Sequence, residues 1–403
     1  MNAYLRPIES PEVSNPEGLD DIRTRMQRVA AVAAQHAQEV DRDGRAPVEA
    51  IAAVKAERLM GLLVPRELGG EGACHRDVIE ACFILGQACA SSGLIYAMHS
   101  VKVACLVRHG LASAWHQGFL GRLCAEQLLL ASSTTEGQQG GNVRSSDAAV
   151  IQDGGRIRLS RDASVISYGE VADALVTTAR RSPDAASSDQ VLLVLGKGDY
   201  TLTRTGGWDT LGMRGTVSAG FQLEAEAGPD QILPDPYERI HRESMVPSAH
   251  LFWSSVWAGI AADAVERARR YLAKSARNME GRAPPSTPHL IKAMTALHAL
   301  RALIATSADR FEAVKDDRAA FGVLEFQNAI TLLKVETSEL AVETVICAMR
   351  ATGLSGYRND GETSLGRRLR DVLSAPIMIS NDRILGNAGA AFMVAGAPQT
   401  IHD

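Results

Sequence analysis

The spacing of apolar residues changes twice along this 403-residue chain, and that double change limits the folds open to it. Up to about residue 126, apolar side chains recur every three or four positions. From about 127 to 246 they fall into short runs broken by turn residues, and beyond 247 the longer period returns. A period near 3.6 buries one face of a helix, whereas a short run bounded by Gly, Pro, Asp or Ser buries a strand. The chain therefore reads as α+β and mostly α. The expected parts are a flexible leader over 1–18, an N-terminal helical domain over 19–126, a small antiparallel β-barrel or sandwich over 127–246, and a C-terminal four-helix bundle over 247–403.

Five helices are expected in the first part: 19–40, with Ile22, Met26, Val29, Ala33, Ala37 and Val40 on one face; 48–63, opened by Pro47 and closed before Pro65; 76–90; 94–108; and 115–126. Ser91-Ser92-Gly93 reads as the break between the third and fourth. Strands are expected at 148–152, 156–160, 174–180, 191–196 and 220–223, with no crossover helices between them, so a parallel dinucleotide fold is disfavoured. Long helices follow at 251–276, 288–314 and 319–352, with a shorter segment from Leu365. Apolar stripes on helices this long call for a second subunit, so a homodimer or homotetramer is expected.

A net charge of −5, with no basic stripe, excludes a nucleic-acid surface. The six cysteines show no CxxC and no paired-ligand spacing, and the ten histidines show neither HExxH nor a triad pattern, so no metal site is expected. No signal-peptide pattern opens the chain and no uncharged apolar run reaches the ~18–20 residues of a membrane span; a cytoplasmic protein is expected.

The most informative stretch is 128–142, LLLASSTTEGQQGGN. An apolar strand runs out into four hydroxyl residues, an acid and a glycine-rich turn. Gly140 and Gly141 would let the backbone approach a planar ligand closely. No GxGxxG or GxxxxGK[T/S] pattern occurs, so a nucleotide cofactor would bind without a Rossmann unit.

Helical unit, small β-domain and helical bundle is the order of the acyl-CoA dehydrogenase superfamily, which the chain resembles from about Arg58 to Ala388. VPRELGGEG at 64–72 resembles the family's VPxxxGGxG; Thr135-Glu136 with Gly140-Gly141-Asn142 resembles TEPxxGSD, with Gly137, Gly141 and Asn142 in place of Pro, Ser and Asp. WDTLGMRGT at 208–216, GLSGY at 353–357 and RRLRD at 367–371 resemble three further family motifs. The resemblance implies FAD between the β-domain and the bundle. Thr134 and Thr135 would serve the ring carbonyls and Ser167 the N5 position. Val165 stands where the family places an aromatic cover. It also implies that Arg277, in SARNMEG, reaches the pyrophosphate across a subunit interface, and that Asn381 and Arg383 touch the adenosine diphosphate portion.

The chain departs from the family where the chemistry should be. A dehydrogenase needs a carboxylate to take the α-proton of the acyl thioester. Counting eight from Asp371 gives Ile379; the alternative family position, seven before Gly259, is Phe252. Neither accepts a proton, and losing a positioned base costs ~10²–10⁴ in rate. Asp382 is the nearest substitute if the local alignment slips. Trp253 replaces the arginine that coenzyme A binding uses in a DxxR, and with Phe252 suits an apolar or aromatic substrate. Flavin monooxygenases of the superfamily also lack the acid and usually carry a histidine seven residues after the RD pair. Here that residue is Met378, while His99 offers an imidazole from the fourth helix.

The leading expectation is an FAD-dependent oxidoreductase acting on the C–C bond beside an acyl thioester (coenzyme A or carrier protein) or similar carbonyl, with an electron-transfer partner. The alternative is a monooxygenase fed with reduced flavin by a separate reductase. A third is a flavin-binding or inactive paralogue.

Overall fold

The computed structural model describes residues 21–136 and 143–394. The expected leader over 1–18 and the Gly140-Gly141 pair lie outside them.

Helix α1 (Ile22–Asp43) begins where the Asp21 side chain accepts the Thr24 amide at 2.9 Å, and ends at Gly44 in a left-handed turn. Its buried face carries Met26, Val29, Ala33, Ala37 and Val40, the stripe its period predicts. Helix α2 (Val48–Ala56) is shorter than expected. Arg58 turns left-handed at φ 55°, so Leu59, Met60, Leu62 and Leu63 are buried as turns instead of helix. An apolar run alone cannot separate the two.

Helices α3 (His75–Ala88) and α4 (Ala90–Gly110) part at Cys89, whose extended backbone interrupts them. The expected break at Ser91-Ser92-Gly93 is instead the first turn of α4, because Gly93 is used for close packing against Gly86 and Val256. Helix α4 is long and apolar enough to cross a membrane, yet 89% of its apolar window is buried inside the protein. Helix α5 (Ala114–Glu126) closes this part.

Seven strands follow: β1 (Leu130–Ser133), β2 (Ile151–Asp153), β3 (Arg156–Ile166), β4 (Ala174–Arg180), β5 (Gln190–Gly196), β6 (Tyr200–Arg204) and β7 (Ala219–Ala227). They form a two-sheet sandwich and not a barrel, in orders β1-β4-β5 and β2-β3-β7-β6. The expectation of a wholly antiparallel domain is corrected by β1, which runs parallel to β4 with Leu130 opposite Ala174. The chain reaches β1 from the helical part, so the strand enters from the side that gives a parallel pairing. Strand β4 is buried on both faces up to Ala179, whereas β3 alternates buried and exposed over its first eight residues.

After α6 (Tyr237–Ile240), a π-helical turn at His241–Met245 leads without a break into α7 (Val246–Arg277). Then come α8 (Thr287–Val314), α9 (Leu324–Thr352), α10 (Leu354–Tyr357), α11 (Gly366–Val372), α12 (Ser374–Ile377) and α13 (Asn381–Val394). Helices α7, α8 and α9 are the long members of the bundle, and α13 is a short fourth against α9. Helix α7 also packs on α3 and α4, joining the two helical parts across one core.

The α3–α7 crossing is set by two glycines. A Cβ at Gly86 would lie 2.5 Å from Val256 O, and one at Gly259 would collide with Phe83 O and come within 2.9 Å of Gln87 N. The obstacles are backbone, which cannot turn aside. Helix propensity favours Gly259→Ala by ~1 kcal/mol, but overpacking costs ~1–3 kcal/mol or more at a rigid site. A net loss of about 1–2 kcal/mol is expected in urea unfolding; an unchanged or raised midpoint would show that the helices can separate freely.

Candidate functional site

A cavity of about 900 Å³ lies where the β-sandwich, α4, the α6–α7 segment, α9 and the C-terminal segment meet. That is near the top of the ~300–1,000 Å³ range for small-molecule sites.

The β wall is built by two local devices. Strand β1 is pinned by Asp173, whose Oδ2 accepts the Leu129 amide at 2.7 Å and pairs with Lys55 at 2.6 Å, and by Tyr168, whose hydroxyl donates to Leu130 O at 2.9 Å. Ser132, Thr134 and Thr135 therefore emerge at the rim in a fixed place. In β3 the register against β7 shifts between Ala163 and Ile166, a bulge. Bulges re-aim side chains, and here the adjacent residues Ser164 and Val165 both line the cavity, with Ser167 just beyond.

Ser167 belongs to a hydroxyl chain with a readable direction. Thr216 Oγ1 donates to Met213 O at 2.9 Å, so its single proton is committed. Ser218, 2.8 Å away, must then donate to Thr216, and Ser167, 2.8 Å from Ser218, must donate to Ser218. Ser167 is left presenting lone pairs to the cavity.

The helical wall follows a helical stripe. Leu94, Met98, Val101 and Lys102 come from one face of α4. Opposite them stand Tyr237, His241, Met245, Ala249, His250 and Trp253. The π-helical turn, a form that recurs at functional sites, keeps His241 and Met245 on the same side as the later residues. The Tyr237 hydroxyl and Trp253 Nε1 are buried and have no hydrogen-bond partner.

The third wall depends on RRLRD. Arg367 donates to Ala88 O at 3.2 Å, Arg368 pairs with Asp263 at 2.6 Å, and Arg370 holds Asp41 and donates to Leu211 O at 2.9 Å. Asp371 Oδ1 accepts the Met213 amide at 2.7 Å. These residues are structural ties, and they fix the segment carrying Ser374, Ile377, Met378 and Ile379 into the cavity wall. Ile379 turns left-handed at φ 56°, uncommon for a β-branched residue.

Thr134, Thr135, Ser167, Trp253, Met378, Ile379 and Arg383 are thus gathered at one cavity. Four other expectations are corrected. His99 is buried with Nε2 donating to Met60 O at 2.8 Å and Nδ1 accepting the Leu130 amide at 3.1 Å, so it pins β1 and has no nitrogen left for catalysis. Phe252 is fully buried beside His75, with ring centroids 5.3 Å apart, on the far side of α7 from the lining residues. Asn381 accepts from Lys334 at 2.6 Å and donates to Ser338 at 3.0 Å and Glu339 at 2.8 Å, tying α13 to α9 with both its amide protons spent. Asp382 is exposed in the first turn of α13 and does not line the cavity. Arg277, expected to reach across a subunit interface, is exposed at the end of α7 and lies outside the cavity of its own chain.

Lys102, Tyr237, His241 and Arg144 are lining residues the sequence reading missed. One signal was available: Lys102 interrupts an otherwise apolar helix face. The only carboxylate in the lining of the described residues, Glu136, is engaged. Its Oε1 accepts from Ser146 at 2.7 Å and pairs with Arg161 at 3.1 Å, while Oε2 accepts the Asp147 amide at 2.6 Å. Both side chains are buried, at 4% and 1% exposure, and Arg161 also donates to Thr178 O.

The comparisons with known proteins agree with this architecture. Family models described as the N-terminal and C-terminal domains of acyl-CoA dehydrogenase match residues 17–127 and 251–393. The chain belongs to the acyl-CoA dehydrogenase superfamily. With a probable acyl-CoA dehydrogenase of Mycobacterium tuberculosis it shares 26% identity over 226 residues, 55% of this chain and only 57% of that protein. With the L-evernosamine nitrososynthase of a Micromonospora species it shares 28% over 372 residues, 87% of this chain and 83% of that one. The crystal structure of FMN-bound TdsC from a Paenibacillus species has the same fold, with a TM-score of 0.81 at 19% identity over 94% of this chain and 98% of that one. Of the two residues expected from the family resemblance at its acid positions, Ile379 lies on the cavity wall and Phe252 outside it.

Two outcomes follow from these contacts. Glu136→Gln leaves Arg161 as an unpaired buried cation, so a loss of ~3–5 kcal/mol in denaturant unfolding is expected; a variant as stable as the parent would free Glu136 for another role. Burial also holds the imidazoles of His75 and His241 down to about 3, and those of His99, His116 and His250 to about 4. An unfolded chain returns them to about 6.5 and binds more protons below that pH. Their contribution is complete above pH 6.5 and lost as pH falls toward 4, on the order of 3 kcal/mol for His99 alone. The melting temperature should therefore drop steeply over this window; a level profile would contradict the neutral, buried state of these rings.

Proposed function

We propose that this protein is a flavin-dependent monooxygenase built on the acyl-CoA dehydrogenase fold, using FMN reduced by a separate reductase, and O₂, to oxygenate a small, largely apolar molecule. One observation carries this reading: the cavity's single carboxylate among the described residues is locked into a buried ion pair, and apolar side chains hold the acid positions. Abstraction of an α-proton beside a thioester has no base there. Oxygen insertion with reduced flavin needs none at that place. The end-to-end likeness to a nitrososynthase, beside the partial likeness to acyl-CoA dehydrogenases, supports the same choice.

The chain's residues suit a flavin ring. Hydroxyls of Thr134, Thr135 and Ser167 line the cavity together with apolar cover from Met98, Val165 and Trp208. When bound in reduced form, the flavin supplies the electrons that activate O₂. Ser167, with its proton committed to Ser218, offers lone pairs suited to an N–H, which the N5 position carries only in the reduced ring. Arg144 and Arg383 are the guanidinium groups of the lining and would hold the phosphate. Met378 and Ile379 give the C-terminal wall of the cavity an apolar surface suited to keeping water from the reacting end. Burial holds the imidazoles of His241 and His250 neutral at working pH.

FMN replaces the FAD of the sequence reading because TdsC and KijD3 have been crystallised with FMN in this fold. Exposed apolar residues at the C-terminal end, including Leu354 at 76%, Ile377 at 76% and Met393 at 84%, support a homo-oligomer. The acyl-thioester dehydrogenase is the reading to test against. With a flavin reductase and NADH, oxygen uptake that needs both flavin and an aromatic or apolar substrate is expected, and flavin released by denaturation should migrate as FMN. Anaerobic bleaching of the bound flavin by an acyl-coenzyme A would overturn the proposal in favour of dehydrogenation.

A further inference from the structure

Lys102 is 3% exposed, and among the described residues its Nζ meets no oxygen. Its contact is Met245 Sδ at 3.1 Å, a weak acceptor, and no ion pair reaches it. The cavity's one carboxylate among the described residues, Glu136, is committed to Arg161. A buried ammonium group given only a thioether is strongly disfavoured, and nothing among the described residues offsets it. Burial pulls Lys102 down to about 8, with the nearby Cys105 opposing, so the group is still mainly charged at neutral pH.

The surroundings repeat the same incompleteness. The Tyr237 side chain, 3% exposed, aims an unpartnered hydroxyl at this cavity, and Trp253, 9% exposed, an unpartnered Nε1–H. The Tyr237 ring stands edge-on to His241, centroids 5.7 Å apart, and His241 feels the charges of Lys102, Arg144 and His250. A cation and two unused donors thus line one apolar cavity, on α4 and the α6–α7 segment opposite. Buried polar atoms left open inside a cavity are the signature of groups completed by a ligand.

We propose that Lys102 is a specificity residue that pairs with an anionic oxygen on the substrate, so that the substrate class is a mostly apolar molecule carrying one carboxylate or phenolate, seated between α4 and the α6–α7 segment. This deepens the monooxygenase reading and rests on it only in taking this cavity for the substrate site. The Tyr237 hydroxyl serves as a second donor to the same oxygen group. Trp253 supplies an aromatic face and a third donor. Lysine suits this role because a single point charge accepts either oxygen source.

The test compares full-length protein with and without FMN, as wild type and as Lys102→Met, a near-isosteric change without the charge. Titration calorimetry uses 2-naphthoate against neutral 2-acetylnaphthalene, and 4-nitrophenol, yellow only when ionised, serves as the phenolate probe. Wild type should bind naphthoate about tenfold more tightly than the ketone, or should turn bound nitrophenol yellow at a pH where the free phenol is colourless. Lys102→Met should abolish whichever preference is seen, keep ketone affinity within about threefold, and melt at a higher temperature than wild type because an unpaired buried charge is gone. Lys102→Arg should restore part of the preference. The assignment to carboxylate or phenolate follows from which probe responds. No preference for either anion in wild type, or a preference that survives in Lys102→Met, overturns the proposal. FMN binding, followed by flavin fluorescence in the same samples, reports separately on the flavin reading, because the naphthoate comparison is also made on the flavin-free chain.

Discussion

Asp371 is the point on which the arrangement of the three parts turns. Its carboxylate is buried, which pushes its proton affinity up, and it accepts the amide of Met213 at 2.7 Å from the loop that leaves the β-sandwich. A Cβ at Gly212 would strike the backbone of Arg370, so the loop lies directly on the helix that carries the acid. The neighbouring arginines of the same short helix reach α1 through Asp41, the end of α3 through Ala88, and α7 through Asp263. Seven residues of helix thereby hold the β-sandwich, the N-terminal helices and the bundle in one relation. The cavity is the space that relation leaves, and its C-terminal wall follows immediately in the chain.

The parts of the fold that could be read from the sequence are those where period and burial coincide. The α1 stripe and the continuous β4 run are examples, since each residue's neighbour in sequence also decides its face. Where tertiary packing overrides the local signal, the reading slipped. Arg58 ends α2 by turning left-handed although the apolar run continues. Ser91-Ser92-Gly93 looks like a break but is helical, because Gly93 must lie against Gly86. The parallel pairing of β1 is invisible in composition, as it depends on where the strand enters, and β6 carries too little burial to show.

The site was legible to the same degree. Motif positions located the hydroxyl wall, Trp253 and the Met378–Ile379 segment, because backbone placement in this fold goes with sequence position. The roles of individual polar side chains did not follow, since a histidine or an asparagine has the same letter whether its hydrogen bonds are spent or open. His99 and Asn381 are spent on neighbouring elements, and Lys102 is open. Glu136, part of a motif, turned out to be a brace for a buried arginine. On the proposed function, such a fold keeps its scaffold acids while replacing its reacting one, so that the chemistry would change without any rearrangement of layers.

The π-helical turn at His241–Met245 gives that divergence a further route. One residue more or fewer in a helix rotates everything after it by about 100°. Shortening this turn by a residue would carry His250 and Trp253 off the cavity and bring a different set of α7 side chains round, while the glycine crossing downstream resists the rotation. The contents of the pocket are therefore coupled to the length of the chain at this place as well as to its letters. Relatives differing here by a single insertion would share every strand and still present a different interior to what they bind.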